Sequence, residues 1–164
     1  KLLTVSTLLF LAVSYAVLAT AESRGEDRVP VITQSFASKG VKPRESWKVY
    51  LNAFDPDGDM QAIFAVIEQQ GMGRYPPSIT RIKAENRKEL SGYIHLNTSV
   101  SDKLDFVTLT LIVHIQDKAG NFSNPVVFTL SINSRSIQEA PPPGVFKDQD
   151  LGPIMVSLRA WDPL

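Results

Sequence analysis

The chain has 164 residues, enough for one domain of common size with flanking segments. Its 17 Lys and Arg residues balance 17 Asp and Glu residues, so no net charge attracts nucleic acid or anionic lipid, and we expect neither as a partner. The sequence contains no cysteine, which excludes disulfides, thiolate metal sites and cysteine nucleophiles.

The first 21 residues have the order of a secretory signal peptide. Lys1 precedes an apolar run, and Ala19, Thr20 and Ala21 supply small residues before Glu22. We predict cleavage after Ala21 and therefore an exported protein, either periplasmic or at the cell surface. The alternative is an uncleaved membrane anchor, because about 20 uncharged residues can span a bilayer. We expect membrane contact only in that case.

The domain is predicted to begin near Val29, where Pro30 lacks an amide donor and indicates a strand at the edge of a sheet. A half-buried strand follows from Ser46 to Phe54, with Trp47 as its core anchor. The stretch from Met60 to Gln70 could be a helix or a strand. We favour a buried strand, because its apolar residues would leave a helix without a clean polar face.

Residues 71–90 contain Gly and Pro breaks and predict a connection between two sheets. A short strand is predicted around Tyr93–Asn97. The clearest pattern runs from Leu104 to Asn133, where apolar residues alternate on both sides of a turn-rich segment, Asp117–Pro125. This pattern is typical of two antiparallel strands, and their apolar faces require cover from the rest of the chain.

We place the end of the domain at Ser134, because Glu139–Gly144 has the composition of an extended Pro-rich linker. The segment from residue 139 to residue 164 could begin a further domain, add a strand back to the sheet, or bind a partner. We favour partner binding. Its candidate residues are the apolar side chains Phe146, Ile154, Met155, Leu158 and Trp161.

The order and spacing of these strands indicate a two-sheet sandwich of about seven strands. Ala53–Met60 resembles the A-x-D-P-D-G-D-x loop of bacterial cadherin-like and immunoglobulin-like repeats, and Ile115–Pro125 is similar to their D-x-A-G-N-x-S hairpin. The resemblance covers Val29 to Asn133. It implies an all-β, immunoglobulin-like module that acts as a spacer, adhesive unit or interaction domain. The long connection at residues 71–90 and the lack of a second repeat depart from that pattern.

Acidic and amide side chains in the two turns are candidate calcium ligands, because Ca²⁺ prefers oxygen donors. These residues are Asp55, Asp57, Asp59, Asp117 and Asn121. Their spacing is not that of an EF-hand, and turns require the same residue types. We therefore favour a turn-forming role and keep calcium as the possible cofactor.

His95 and His114 are predicted to lie on strand positions that face solvent. No HExxH motif or nucleophile elbow accompanies either residue, so we predict no catalytic residues and a non-enzymatic protein.

The most economical function is an exported structural or interaction subunit of a bacterial envelope or surface assembly. It would bind a protein partner through loops, a sheet edge or the C-terminal tail. The alternative is a ligand-binding module, either for glycans through an aromatic platform of Tyr75 and Tyr93 or for calcium-dependent adhesion.

Overall fold

The computed structural model describes residues 28–98 and 104–159. The predicted signal peptide, residues 1–21, and the predicted partner-binding residue Trp161 lie outside these ranges. The described residues form an all-β structure with ten strands and a short 3₁₀ helix, Ala84–Asn86. The strands are β1 (Val31–Ala37), β2 (Gly40–Val41), β3 (Ser46–Phe54), β4 (Met60–Gln69), β5 (Gly73–Arg74), β6 (Ser78–Arg81), β7 (Glu89–Asn97), β8 (Val107–Asp117), β9 (Val126–Ile132) and β10 (Asp150–Pro153).

The strands form two sheets. The four-stranded sheet has the order β1-β3-β7-β10, and the six-stranded sheet has the order β2-β9-β8-β4-β5, with β6 also paired to β4. This arrangement confirms the predicted immunoglobulin-like sandwich. The strand count exceeds the expected seven partly because β2 and β5 have two residues each and show no alternation in the sequence.

The core lies between the sheets and is built from alternating residues of the long strands. Trp47 is fully buried, and its indole N–H donates to the Ser38 carbonyl oxygen at 2.7 Å. Its ring meets the Phe128 ring edge-on, with 6.4 Å between centroids. Full burial of an aliphatic side chain contributes about 1.5–3 kcal/mol, so this layer dominates the stability of the fold. Its other large, fully buried members include Leu51, Met60, Ile63, Ile67, Ile94, Leu96, Leu104, Leu109, Leu111, Ile115 and Leu130.

The ambiguous stretch after Met60 is a ten-residue strand, as predicted. β4 pairs with β8 along nearly its whole length and with β6 on its other side. Residues 71–90 carry β5, β6 and the 3₁₀ helix, and they lead from the six-stranded sheet to β7 in the four-stranded sheet. The predicted connection between sheets is therefore confirmed.

The C-terminal segment folds back onto the domain. β10 pairs in parallel with β7, and Ile154, which follows it, is only 4% exposed and belongs to the core. The boundary predicted at Ser134 is therefore too early, because the packed structure continues to Arg159. The alternative of a strand added back to the sheet describes this segment correctly.

Within residues 28–98 and 104–159, no helix is long and apolar enough to cross a membrane.

Candidate functional site

The predicted calcium ligands lie in two turns at one end of the sandwich. Asp55 is fully buried, and its carboxylate accepts the backbone N–H groups of Asp57 and Asp59, each at 3.1 Å. The Asp55 N–H donates to the Lys88 carbonyl oxygen at 2.9 Å. Gly58 has a φ of 71°, which the left-handed turn requires and which glycine adopts without steric cost. Asp55 therefore organises its own loop.

The second turn is built in the same way around Asp117, which is 2% exposed. One carboxylate oxygen of Asp117 accepts the Asn121 backbone N–H at 2.8 Å, and the other accepts the Asn121 side-chain amide at 3.0 Å. Met60 pairs with Asp117 in the sheet, so the two turns are adjacent. Sequence reasoning identified both turns correctly from their residue types.

Asp59 lies where the negative charges of the two turns meet. Burial raises its pKa above the ordinary 3.8, and the hydrogen bond to Asp55 and the negative charges of Asp55 and Asp117 raise it further. Lys118 opposes this effect by favouring the ionised form. The negative charges of Asp55 and Asp117 and the positive charge of Lys118 thus act on the pKa of Asp59 in opposite directions.

These carboxylates are mostly occupied by protein donors. The Asp57 carboxylate accepts the Arg28 backbone N–H at 3.0 Å. Among the described residues, no group of three or more His, Asp or Glu side chains is arranged to hold a metal ion. Calcium binding by Asp55, Asp57, Asp59, Asp117 and Asn121 stays a prediction.

Residues 138–159, which we call the strap, cross the outer face of the four-stranded sheet and then close its edge. The Lys48 N–H donates to the Gln138 side-chain oxygen at 3.1 Å, and the Asn52 side-chain amide donates to the Val145 carbonyl oxygen at 2.9 Å. Lys48 Nζ lies 3.2 Å from a carboxylate oxygen of Asp148. The strap is thus bound to β3 at successive points.

Phe146, a predicted partner-binding residue, packs on the domain itself. Its ring lies 5.6 Å from that of Tyr50, and the Tyr50 ring lies 5.4 Å from that of Tyr93. Lys48 Nζ lies 4.0 Å from the centroid of the Tyr93 ring. Burial alone would lower the pKa of Lys48, but hydrogen bonding to Asp148 and the interactions with the two tyrosines raise it overall. Tyr50 lies on the side of β3 that points away from the main core, yet this cover leaves it only 8% exposed.

The end of the strap enters the gap between β7 and β6. The Ile154 N–H donates to the His95 carbonyl oxygen at 2.7 Å, and the Met155 N–H donates to Ser78 Oγ at 2.8 Å. Leu158 is partly buried against the core. Ile154 and Leu158 are therefore not free for a partner, whereas the Met155 side chain is 76% exposed.

The predicted aromatic platform is divided between two clusters. Tyr75 packs against the core, its hydroxyl group donates to Gln69, and its oxygen accepts the Arg159 N–H at 2.9 Å. Tyr93 lies on the outer face of the four-stranded sheet beside Tyr50 and His95. Glycan binding by Tyr75 and Tyr93 stays a prediction. The two rings contact different residues and therefore belong to different clusters.

The strand pattern predicted that both histidines face solvent. In the structure each is partly buried and has a partner. His95 Nδ1 lies 3.1 Å from a carboxylate oxygen of Asp150, and its side chain is 19% exposed because the strap covers it. His114 Nδ1 lies 3.3 Å from the Ser123 carbonyl oxygen, and the Phe122 ring packs edge-on against it at 6.0 Å. Cover from other segments explains both differences from the strand pattern.

β1 forms the outer strand of the four-stranded sheet, and within residues 28–98 and 104–159 it pairs with β3 alone. Its seven residues, VITQSFA, include no charged side chain, and the register shifts between Ile32 and Gln34. Thr33, Gln34 and Ser35 are all exposed, and Pro30 precedes the strand, as the sequence predicted. β1 is therefore a sheet edge that could accept a further strand.

Comparisons with known proteins assign no family to the chain. No protein-family model matches it. No curated protein matches it. A similar solved structure is the PKD domain of an M14-like peptidase from a Thermoplasmatales archaeon, with 12% identity and a TM-score of 0.36 over 64% of this chain and 93% of that chain. A similarity this low does not extend to function.

Proposed function

We propose that the protein is an exported, non-catalytic interaction module of a bacterial envelope or surface assembly. Its sandwich is a rigid support, and its partner is a protein. Export follows from the signal-peptide pattern of residues 1–21, and the envelope role follows from the resemblance of Ala53–Met60 and Ile115–Pro125 to modules of exported proteins.

The non-catalytic role is supported by what the chemically active side chains do. Asp55 and Asp117 accept hydrogen bonds from their own turns, and His95 pairs with Asp150. His114 lies against the Ser123 carbonyl oxygen. Each group is used to hold the fold together.

The observation that carries the proposal is the outer edge of β1, to which no strand of the described part of the chain is paired. An unpaired edge strand presents a row of backbone N–H and C=O groups, and proteins usually protect such an edge with charges, Pro or a covering segment. Within residues 31–37 there is neither charge nor Pro, and β10 closes the opposite edge of the same sheet. We therefore place the partner at β1, where an extended segment can add a strand.

Site-specific crosslinking tests this placement. A photoreactive residue at Ser35, on β1, should crosslink to a partner protein in the producing cell. The same residue at Glu85, which is exposed on the 3₁₀ helix, is the matched control and should not. Ser35→Lys should weaken the association, because charges on an edge strand oppose pairing. Equal crosslinking from both positions would contradict a partner at β1.

The second candidate function, calcium-dependent adhesion, is favoured by one observation. Burial is the main cause of the raised pKa of Asp59, and the nearby carboxylates of Asp55 and Asp117 add to it; a bound cation would offset their negative charge. Melting measurements with and without calcium separate the two candidates.

A further inference from the structure

The core-facing side chains of β9 are unequally buried along the strand. In its second half, Leu130 and Ile132 are fully buried. In its first half, Val126 and Phe128 face the core in the same alternation but are only partly buried. The β8 residues that pair with Val126 and Phe128 are fully buried, so the exposure lies on the other side of β9.

The difference follows from what flanks β9 on its outer edge. β2 pairs with Ser131 and Ile132, and the Ser131 N–H donates to the Lys39 carbonyl oxygen at 2.9 Å. No strand of the described part of the chain pairs with that edge at residues 126–129. The first half of β9 is therefore a free strand edge, and the core-facing side chains beside it lack cover.

β1 approaches the same part of β9 from the other sheet. β2 follows directly after β1 and pairs in parallel with β9 from Ser131 on, so the end of β1 comes close to the first half of β9. Ser35 and Ala37 pair with two fully buried residues of β3, and directly paired residues of antiparallel strands point to the same face. Ser35 is nevertheless exposed, and Ala37 is only partly buried. We call the opening between Ser35 and Ala37 on β1 and Val126 and Phe128 on β9 the seam.

The strap closes the opposite side of the sandwich with an alternating pattern. Its inward positions after β10 are Ile154, Val156 and Leu158, which pack in or against the core. The positions between them, Met155 and Ser157, are exposed. The Ile154 N–H donates to a carbonyl oxygen of β7, and the Met155 N–H donates to a side-chain oxygen of β6. One segment thus contacts both sheets and places an apolar side chain inward at every second position.

We propose that the partner at β1 supplies an extended segment with an apolar side chain at every second position, and that these side chains fill the seam. The inference rests on the proposed function and specifies the chemistry of its partner. The added strand pairs with the free edge of β1, and its inward side chains cover Val126 and Phe128. Filling the seam removes apolar surface of both chains from water, which backbone pairing alone does not achieve.

The inward side chains of this segment are uncharged and of moderate size. Neither β1 nor β9 contains a charged residue, so a charge brought between them would find no partner on either strand. Lys39 follows β1 but lies beside Ser131, where β2 already flanks β9. The small side chains of Ser35 and Ala37 leave room for Val, Ile or Leu, the residue types that the strap uses on the opposite side.

A nuclear magnetic resonance titration of the purified exported protein with a synthetic peptide tests the proposal. The probe has the sequence of residues 150–159, DLGPIMVSLR, which carries the alternating pattern. We expect the amide signals on both sides of the seam to shift. The control peptide carries the three substitutions Ile154→Ser, Val156→Ser and Leu158→Ser. It should bind about 10-fold more weakly or worse, because its inward side chains bury little apolar surface.

Two protein variants separate filling of the seam from strand addition alone. Ser35→Glu places a carboxylate on the inward side of β1 and should weaken binding of the probe by about 10-fold or more. Gln34→Glu is the matched control, because the exposed Gln34 pairs with Asn52 on the outer face of the same strand. It should change the affinity by less than about threefold. The melting curves of both variants should match that of the wild type, because both positions are solvated.

Equal weakening by Ser35→Glu and Gln34→Glu would overturn the filled seam and leave strand addition at β1 intact. Equal affinity for the two peptides would also overturn it. Shifts confined to β7 and β6, or no shifts up to about 1 mM probe, would contradict a seam that takes such a segment. Shifts at the seam on concentrating the protein alone would identify a second copy as the source of the segment. Crosslinking from Ser35 in the producing cell is a separate readout, and its absence would overturn the partner at β1 itself.

Discussion

Phe146 packs on Tyr50 across the outer face of the four-stranded sheet, with 5.6 Å between ring centroids. The contact joins a residue after the Pro-rich stretch to the strand that carries Trp47. It explains why Tyr50 is buried on the side of β3 that points away from the main core. Together with β10, it makes the strap part of the domain.

Two neighbouring residues of the strap should differ sharply in their effect on stability. Ile154→Ala should lower the free energy of unfolding by about 2–5 kcal/mol, because a buried aliphatic side chain leaves a cavity when it is truncated. Met155→Ala should change it by less than about 0.5 kcal/mol, since Met155 is 76% exposed. Urea unfolding followed by circular dichroism measures both. Equal, small effects would show that the strap does not contribute to the core.

The long strands could be predicted from the sequence because their signal is local. In β8, Leu109, Leu111, Val113 and Ile115 alternate with partly exposed residues, and the same period marks β3 and β9. The turns around Asp55 and Asp117 were predictable from residue types that cap nearby amides.

β10 could not be predicted in this way. Its four residues, DLGP, show no alternation, and their pairing with β7 joins residues more than 50 positions apart. Pro141–Pro143 suggested a linker, but a stiff extended segment can equally cross a sheet face. The predicted calcium ligands show a similar limit, because residue types alone do not tell whether a carboxylate oxygen accepts hydrogen bonds from the amides of its own turn or binds a cation.

The charge on Asp59 should make stability depend on pH. Its pKa in the folded state is raised, so the folded state binds its proton more tightly than the unfolded state does. Ionisation of Asp59 therefore opposes folding above its folded-state pKa, and this penalty disappears as the pH falls toward 3.8. Asp59→Asn should raise the melting temperature at neutral pH, and its advantage over the wild type should shrink in acid.

Asp57→Asn is the control for that experiment, because Asp57 is more exposed and caps the Arg28 amide. We expect it to bring no gain at neutral pH. An Asp59→Asn variant that is less stable than the wild type at neutral pH would contradict a raised pKa.

The calcium-dependent alternative predicts a rise in melting temperature with millimolar Ca²⁺. A ligand that binds only the folded state stabilises it by about 2.7 kcal/mol at 100 times its Kd. Asp59→Asn should reduce the response, and Mg²⁺, which prefers a stricter octahedral geometry, should give a smaller one. An unchanged melting temperature in calcium removes this alternative and with it the assignment of Asp55, Asp57, Asp59, Asp117 and Asn121 as ligands.

Export should leave a defined N-terminus. We expect Edman sequencing or intact mass measurement of the protein from the producing cell to begin at Glu22. Replacing Ala19 and Ala21 with bulky residues should prevent cleavage, because the peptidase requires small side chains there. A native protein that retains residues 1–21 in the membrane fraction would instead support the anchor.

Amide hydrogen exchange on the strap tests most directly whether it belongs to the fold. The Ile154 N–H donates to the His95 carbonyl oxygen, and the Tyr93 N–H donates to the Gln149 carbonyl oxygen. Both amides should therefore exchange as slowly as those of the neighbouring β7. Exchange of the Ile154 amide at the rate of an unstructured peptide, with β7 still protected, would contradict a strap that forms part of the sandwich.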